Sequence, residues 1–274
     1  MWLITGAAVL AATALTAGVI IGARLGNRTT APPTPTAALT AEFARLKTQL
    51  HAVVGLAVSA VGSGQAPILL GDWQSGPAWS TIKVPLVIAA LREQNPPKVT
   101  DEMDAAITES DNVAAESIWA GLGDPVTAAH QVEAVLRGTG DPTTIQSQKV
   151  RPQFTAFGQT DWSLIHQLRF TSIAFCDKAN APIFALMGQV EPDQRWGIGT
   201  VPGAQFKGGW GPSPSGSYLV RQLGVLPALN GKVAVTLAAQ PASGTFEDGT
   251  AALTAMATWL SAHLGALPAG QCGH

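Results

Sequence analysis

Residues 79–86 read WSTIKVPL. Ser80 and Lys83 carry the polar heads of longest reach in this apolar run. On a helix their three-residue spacing puts both on one face, one turn apart. Two readings are open. In one, Ser80 caps a helix start and Lys83 extends to water. In the other, Ser80 is a nucleophile whose proton passes to the neighbouring amine. The octapeptide alone does not choose between them.

Working outward, two further signatures recur once each. Of the seven lysines only Lys83 has a serine three positions before it, and of the five asparagines only Asn112 has a serine two positions before it, in SDN at 110–112. Only Lys207 begins a Lys-x-Gly triplet, KGG at 207–209. Each triplet is weak by itself. Together, in this order, they make a specific combination.

The pattern around them supplies a frame. Apolar spacing near 3.6 predicts an amphipathic helix over 40–54, and 55–73 reads as two strands joined by a Gly/Ser turn. Helices are expected at about 80–93, 101–109, 112–120, 125–137, 161–176 and 180–189. Thr100 before Asp101 and Glu102, and Asp124 before Pro125, are good helix starts. The Gly/Thr/Gln-rich stretch 138–160 reads as a long loop. Strands follow at 204–210, 217–226 and 231–240, then a closing helix at about 247–264. Five strands split by a helical insertion predict an α/β protein of α+β type, in which both ends of the chain complete one antiparallel sheet. The α/β lobe takes about 40–79 and 190–274, and an all-helical lobe about 80–189. A cleft between lobes is a natural place for chemistry.

Ser-x-x-Lys, Ser-Asp-Asn and Lys-x-Gly, met in this order, resemble the motif set of the penicillin-recognising serine enzymes: class A-like β-lactamases and penicillin-binding DD-peptidases. The resemblance covers about residues 40–266 and implies their fold, a five-stranded antiparallel sheet flanked by helices with a helical lobe. It also implies an acyl-serine mechanism. Ser80 would attack a carbonyl, and Lys83, kept neutral by apolar surroundings, would take its proton. That requires the lysine pKa to fall from ~10.4 toward ~7–8. Ser110 would relay a proton to the leaving nitrogen, and Lys207 would add positive charge near the substrate carboxylate. Asn112, Gly209, Trp210 and Arg221 are the expected substrate contacts, with the N–H groups of Ser80 and Trp210 forming the oxyanion hole. Read without the family, Lys207 is a solvated edge-strand lysine, and Arg221 pairs with a surface carboxylate. The substrate would be a small β-lactam or a peptidoglycan-derived amide or ester.

The chain departs from the family's pattern at three places. Gly208 replaces the threonine whose hydroxyl holds the substrate carboxylate there. No glutamate lies between Glu133 and Glu191, where class A enzymes carry the base that deacylates the serine. Asp141 and Asp161 are the only carboxylates within that loop's reach, and Asp161 reads more simply as a helix-start residue. Ser80 and Ser110 are 30 residues apart, roughly half the class A separation, which predicts a reduced helical lobe. The expectation is a serine hydrolase that is a poor β-lactamase. The alternative is a decayed, non-catalytic binding module of the cell envelope.

Composition limits the remaining classes. The chain has 274 residues, 46% of them hydrophobic and 12% charged, with a formal net charge of −2. Without a basic cluster, a nucleic-acid partner is not expected. The five histidines lack metal-ligand spacing, and neither a metal nor a cofactor is expected. Trp2 to Ala23 is an uncharged apolar run followed by a Pro/Thr-rich segment. We read residues 1–23 as a secretory signal or membrane anchor, 24–39 as linker and 40–274 as the functional domain, exported or membrane-anchored. Cys176 and Cys272 are the only cysteines. They either bridge, pinning the tail to the body in an oxidising compartment, or stand as separate thiols.

Overall fold

The computed structural model describes Trp2 and residues 35–273, and the expected signal or anchor at 1–23 lies outside the described residues except for Trp2. Helix α1 (Pro35–Lys47) leads into strand β1 (Ala52–Ala60) and β2 (Ile68–Gly71). A helical layer follows: α2 (Lys83–Arg92), α3 (Asp101–Thr108), α4 (Asn112–Gly121), α5 (Pro125–Gly138), α6 (Leu164–Ala174) and α7 (Ala181–Met187). Strands β3 (Gln205–Pro212), β4 (Tyr218–Ala228) and β5 (Gly231–Pro241) precede the closing α8 (Phe246–His263).

The strands form one antiparallel sheet in the order β2-β1-β5-β4-β3. The N-terminal hairpin therefore pairs with the last strand, and β3 is left as an edge. Period-two alternation assigns the two faces. Val54, Leu56 and Val58 share a core with Val233, Val235 and Leu237, closed by Leu39 and Phe43 of α1 and by Leu253, Met256 and Leu260 of α8. Ala57, Leu223, Val225, Ala234 and Ala238 face the other way, against Leu164, Leu168 and Phe170 of α6 and the helical layer beyond. α2 is apolar on nearly every side and sits buried among α3, α4 and α5, as a central helix must.

Local chemistry sets the boundaries. Thr100, Asp111, Asp124 and Ser163 accept backbone N–H bonds at the starts of α3, α4, α5 and α6. The first helix runs earlier than expected, taking residues 35–39 of the anticipated linker and ending at Lys47. Pro35 suits a first helical position, and Leu39 and Phe43, four apart, anchor the helix to the sheet. Val53 and Val54, expected in that helix, pair instead with Gln240 and Ala239 of β5. Asp161 lies before α6, bridged to Pro77 rather than inside the helix. Cys176 and Cys272 are disulfide-bonded, tying the chain just after α6 to the C-terminal tail. Among the described residues no helix is long and apolar enough to cross a membrane.

Candidate active site

Ser80 lies on a 3₁₀ turn, Trp79–Ile82, that runs straight into α2. Neither the turn nor α2 has a side-chain cap, so Ser80 is not the helix-capping residue of the simpler reading. Trp79 just before it is held at φ 48°, a conformation costly for a side chain of this size. Its ring is pressed under β3: a Cβ on Gly211 would fall 2.6 Å from it. Phe154 meets the same ring edge-on at 5.1 Å. The strained residue thus presents Ser80, half-buried, to a cavity of about 480 Å³.

Lys83 does not reach water. It is 1% exposed, and its Nζ donates to Ser110 O at 2.5 Å, to Asn112 Oδ1 at 2.8 Å and to Ser110 Oγ at 3.4 Å. Burial lowers its pKa from 10.5 to about 7, with the Asp111 carboxylate opposing the fall. None of these bonds goes to Ser80.

Ser110 is in the left-handed region, φ 61°, between α3 and α4. Asp111 fixes that corner, its N–H bonded to Ala105 O and its carboxylate capping α4. The corner turns Ser110 Oγ toward a second amine: Lys207 Nζ donates to it at 2.8 Å and to Gly208 O at 3.0 Å. Lys207 is wholly buried, not a solvated edge lysine, and burial followed by the Lys83 charge drives its pKa well below 10.5. With amines on its lone pairs, the Ser110 hydroxyl is free to donate its own proton elsewhere. Asn112 opens α4 and lines the cavity. Its Oδ1 is engaged by Lys83, which leaves the amide N–H₂ for another partner.

β3 closes the opposite wall. A Cβ on Gly209 would fall 2.8 Å from the Thr81 nitrogen and 2.9 Å from that of Ser80, so only glycine lets the strand lie against the 3₁₀ turn. Trp210 lines the cavity next to this contact. Ser80, Asn112 and Trp210 therefore share one cavity wall to wall, with Lys83, Ser110 and Lys207 hydrogen-bonded behind it.

No protein-family model matches the sequence, and no curated protein is similar to it in sequence. Solved structures do share its fold. A class A β-lactamase from Mycobacterium abscessus superposes with a TM-score of 0.62 at 15% identity, covering 81% of this chain and 99% of that one. A β-lactamase from Streptosporangium roseum gives 0.63 at 16%, covering 84% and 100%. The TLA-3 extended-spectrum β-lactamase gives 0.64 at 13%, covering 82% and 99%. This is the class A β-lactamase fold.

Within this β-lactamase fold, one expected substrate contact is displaced. Arg221 is fully buried and points away from the cavity. Its guanidinium donates to Gly76 O, Pro77 O, Trp162 O and Gln167 Oε1 at 2.8–3.0 Å and lies over the Trp73 ring. It neither meets a substrate nor pairs with a surface carboxylate. Four carbonyl-type acceptors, brought together by tertiary structure, claim it instead.

The loop carboxylates are also used elsewhere. Asp141 is buried, accepting from Trp162 Nε1 and Thr143 N. Asp161 accepts from Ser75 Oγ. Neither lines the cavity. The carboxylate that does is Glu116 on α4, ion-paired at 2.9 Å with Lys149 of the long loop. Its signal was in the sequence, four residues after Asn112 on the same helix face. Tyr218, which lines the cavity's aromatic end, had no such signal. Among the described residues no cluster of His, Cys, Asp or Glu is arranged to hold a metal.

Proposed function

We propose that the protein is a serine acyl-transfer hydrolase acting on amides or esters through an acyl-Ser80 intermediate. The observation that carries the reading is Lys83: a buried amine with a pKa of about 7, one turn from Ser80 and bonded into Ser110 and Asn112. An amine neutral near pH 7 is a competent base. It swings from Ser110 to Ser80 when substrate enters, since such bonds tighten only in the complex. Lys83 Nζ takes the Ser80 proton as Oγ bonds to the carbonyl carbon. The oxyanion is held by the N–H groups of Ser80 and Trp210, each worth ~2.7–4 kcal/mol. The Lys83 proton returns through the Ser110 hydroxyl to the leaving nitrogen or oxygen, and the bond to that atom breaks. Water then hydrolyses the acyl ester slowly, because the loop lacks a glutamate facing Ser80.

A second reading, a binding module that keeps the fold without turnover, is favoured by Gly208 and by the same missing base. Incubation with a fluorophosphonate and with a fluorescent penicillin, followed by intact-mass analysis, separates the two. One covalent adduct on wild type, lost in Ser80→Ala, supports the hydrolase. Stoichiometric binding without an adduct supports the module.

A further inference from the structure

The far end of the cleft says which substrates Ser80 would accept, an inference that rests on the acyl-serine reading. Where the resemblance leads one to expect a threonine hydroxyl and a free arginine, Gly208 has no side chain and Arg221 is buried, its guanidinium spent on the Gly76, Pro77 and Trp162 carbonyls and on Gln167. The space is filled by rings. A Cβ on Gly208 would lie 3.0–3.1 Å from the Trp196 ring and 3.7 Å from Trp210. Trp196 and Trp210 meet at 5.9 Å, and Phe246 packs against both, at 6.0 and 5.4 Å. Tyr218 extends the cluster from Phe246 at 6.0 Å. All four rings are half-buried, and Trp210 and Tyr218 line the cavity itself, backed by Trp196 and Phe246.

The cations within reach are already committed. Lys207 spends hydrogen bonds on Ser110 and Gly208 O. Lys149 pairs with Glu116 on the α4 wall. Arg195, beside Trp196, donates to Val190 O and Gly188 O. Arg151 donates to Pro212 O, four residues along β3 and ~13 Å from Gly208. α8 opens beside the cluster with Glu247 and Asp248 in its first turn, charges of the wrong sign for an anion. A carboxylate at this end of the cleft would lose its hydration and gain no partner, whereas an apolar group would bury against the Trp210 and Tyr218 rings.

We infer that the aromatic end of the cleft, where Trp210 and Tyr218 line the cavity beside the buried Gly208, is a subsite for an uncharged apolar group, and that the substrates are neutral esters or amides rather than compounds with a free carboxylate beside the reacting carbonyl. The group discriminated is thus the one by which β-lactams and peptide C-termini are alike.

Benzylpenicillin and its methyl ester differ only in that charge. Their rates of adduct formation on Ser80, followed by intact mass, should differ at least tenfold in favour of the methyl ester. Trp196→Arg, which puts a cation where the ring lay, should shift that ratio at least tenfold toward the free acid. If the free acid acylates wild type as fast as the ester, the inference is overturned while the acyl-serine reading stands. If neither penicillin labels Ser80 but a neutral p-nitrophenyl ester does, the apolar subsite is supported by the ester's own preference for longer acyl chains, and refuted if chain length has no effect. If no probe, fluorophosphonate included, labels Ser80, the acyl-serine reading fails and the inference with it.

Discussion

Acylation should titrate with Lys83. Its pKa of about 7 makes the amine ~1% neutral at pH 5, half neutral at pH 7 and ~90% neutral at pH 8. If the neutral amine takes the Ser80 proton, the second-order rate of adduct formation rises about tenfold per pH unit below 7 and flattens above it. From pH 5 to pH 8 the gain is about 90-fold. A solvated lysine at ~10.4 would still be less than ~1% neutral at pH 8, and its profile would climb steadily past pH 9. The assay is stopped incubation with an uncharged p-nitrophenyl ester, whose own protonation does not change across the range, read by intact mass of the Ser80 adduct. Lys83→Met should label at least a hundredfold more slowly and lose the inflection. A flat wild-type profile, or an unchanged inflection in Lys83→Met, would refute the assignment of the base. An inflection above 9 would refute the burial argument that lowers its pKa.

Four other outcomes follow from the packing. Arg221→Met takes the guanidinium from Pro77 O, Trp162 O and Gln167 Oε1, while Gly76 O keeps the Trp162 N–H, and should cost about 4 kcal/mol in urea unfolding. Gly209→Ala forces a Cβ against the backbone of Ser80 and Thr81 and should cut acylation at least tenfold, whereas Gly265→Ala, with nothing within 4 Å, should not. Reducing the Cys176–Cys272 bridge frees a loop of 96 residues and should lower stability by ~4–5 kcal/mol on the chain-entropy argument, seen as a lower unfolding midpoint. Because the folded-state pKa of Lys83 lies below its unfolded value, the unfolded chain binds the extra proton between about pH 7 and 10.5. Stability should therefore rise with pH across that window, and less steeply in Lys83→Met.

Much of the architecture was legible because its signals are local. Period-two alternation in 231–240 and the capping residues Thr100 and Asp124 act within a few positions of themselves, and β5 and the starts of α3 and α5 fall where they indicate. The first helix was misplaced because Leu50, Val53 and Val54 continue a helical apolar spacing while the chain changes from helix to strand. What separates the two is His51 at φ 45° and the pairing of Val53 and Val54 with β5, a contact nearly 190 residues away in sequence. The same distinction runs through the site. Ser80, Lys83, Ser110, Asn112 and Lys207 declare themselves by spacing, and they gather at one place. Arg221 stands on the strand next to Lys207, and the register pairs Lys207 with Leu223 and Gly209 with Arg221, so both side chains rise from the same face of the sheet. The guanidinium is drawn away by acceptors on Gly76, Pro77, Trp162 and Gln167, contacts from distant parts of the chain that spacing does not encode. Glu116 and Lys149 meet only because a long loop folds back on α4, which spacing alone does not encode.

The electrostatics of the site also explain why its departures belong together. Two amines, both desolvated, share the Ser110 hydroxyl, and the Asp111 charge favours protonation of Lys83. Burial and the Lys83 charge lower the affinity of Lys207 for a proton, so the resting site carries less positive charge than two lysines suggest. A pocket that had to hold an anionic substrate would gain from keeping that charge and from adding a free arginine. On the reading proposed above, this pocket lowers that charge, spends Arg221 on backbone carbonyls and sets Trp196 against a glycine. Each change alone would weaken anion binding, and together they would do so while leaving Lys83, Ser110 and Lys207 hydrogen-bonded to one another.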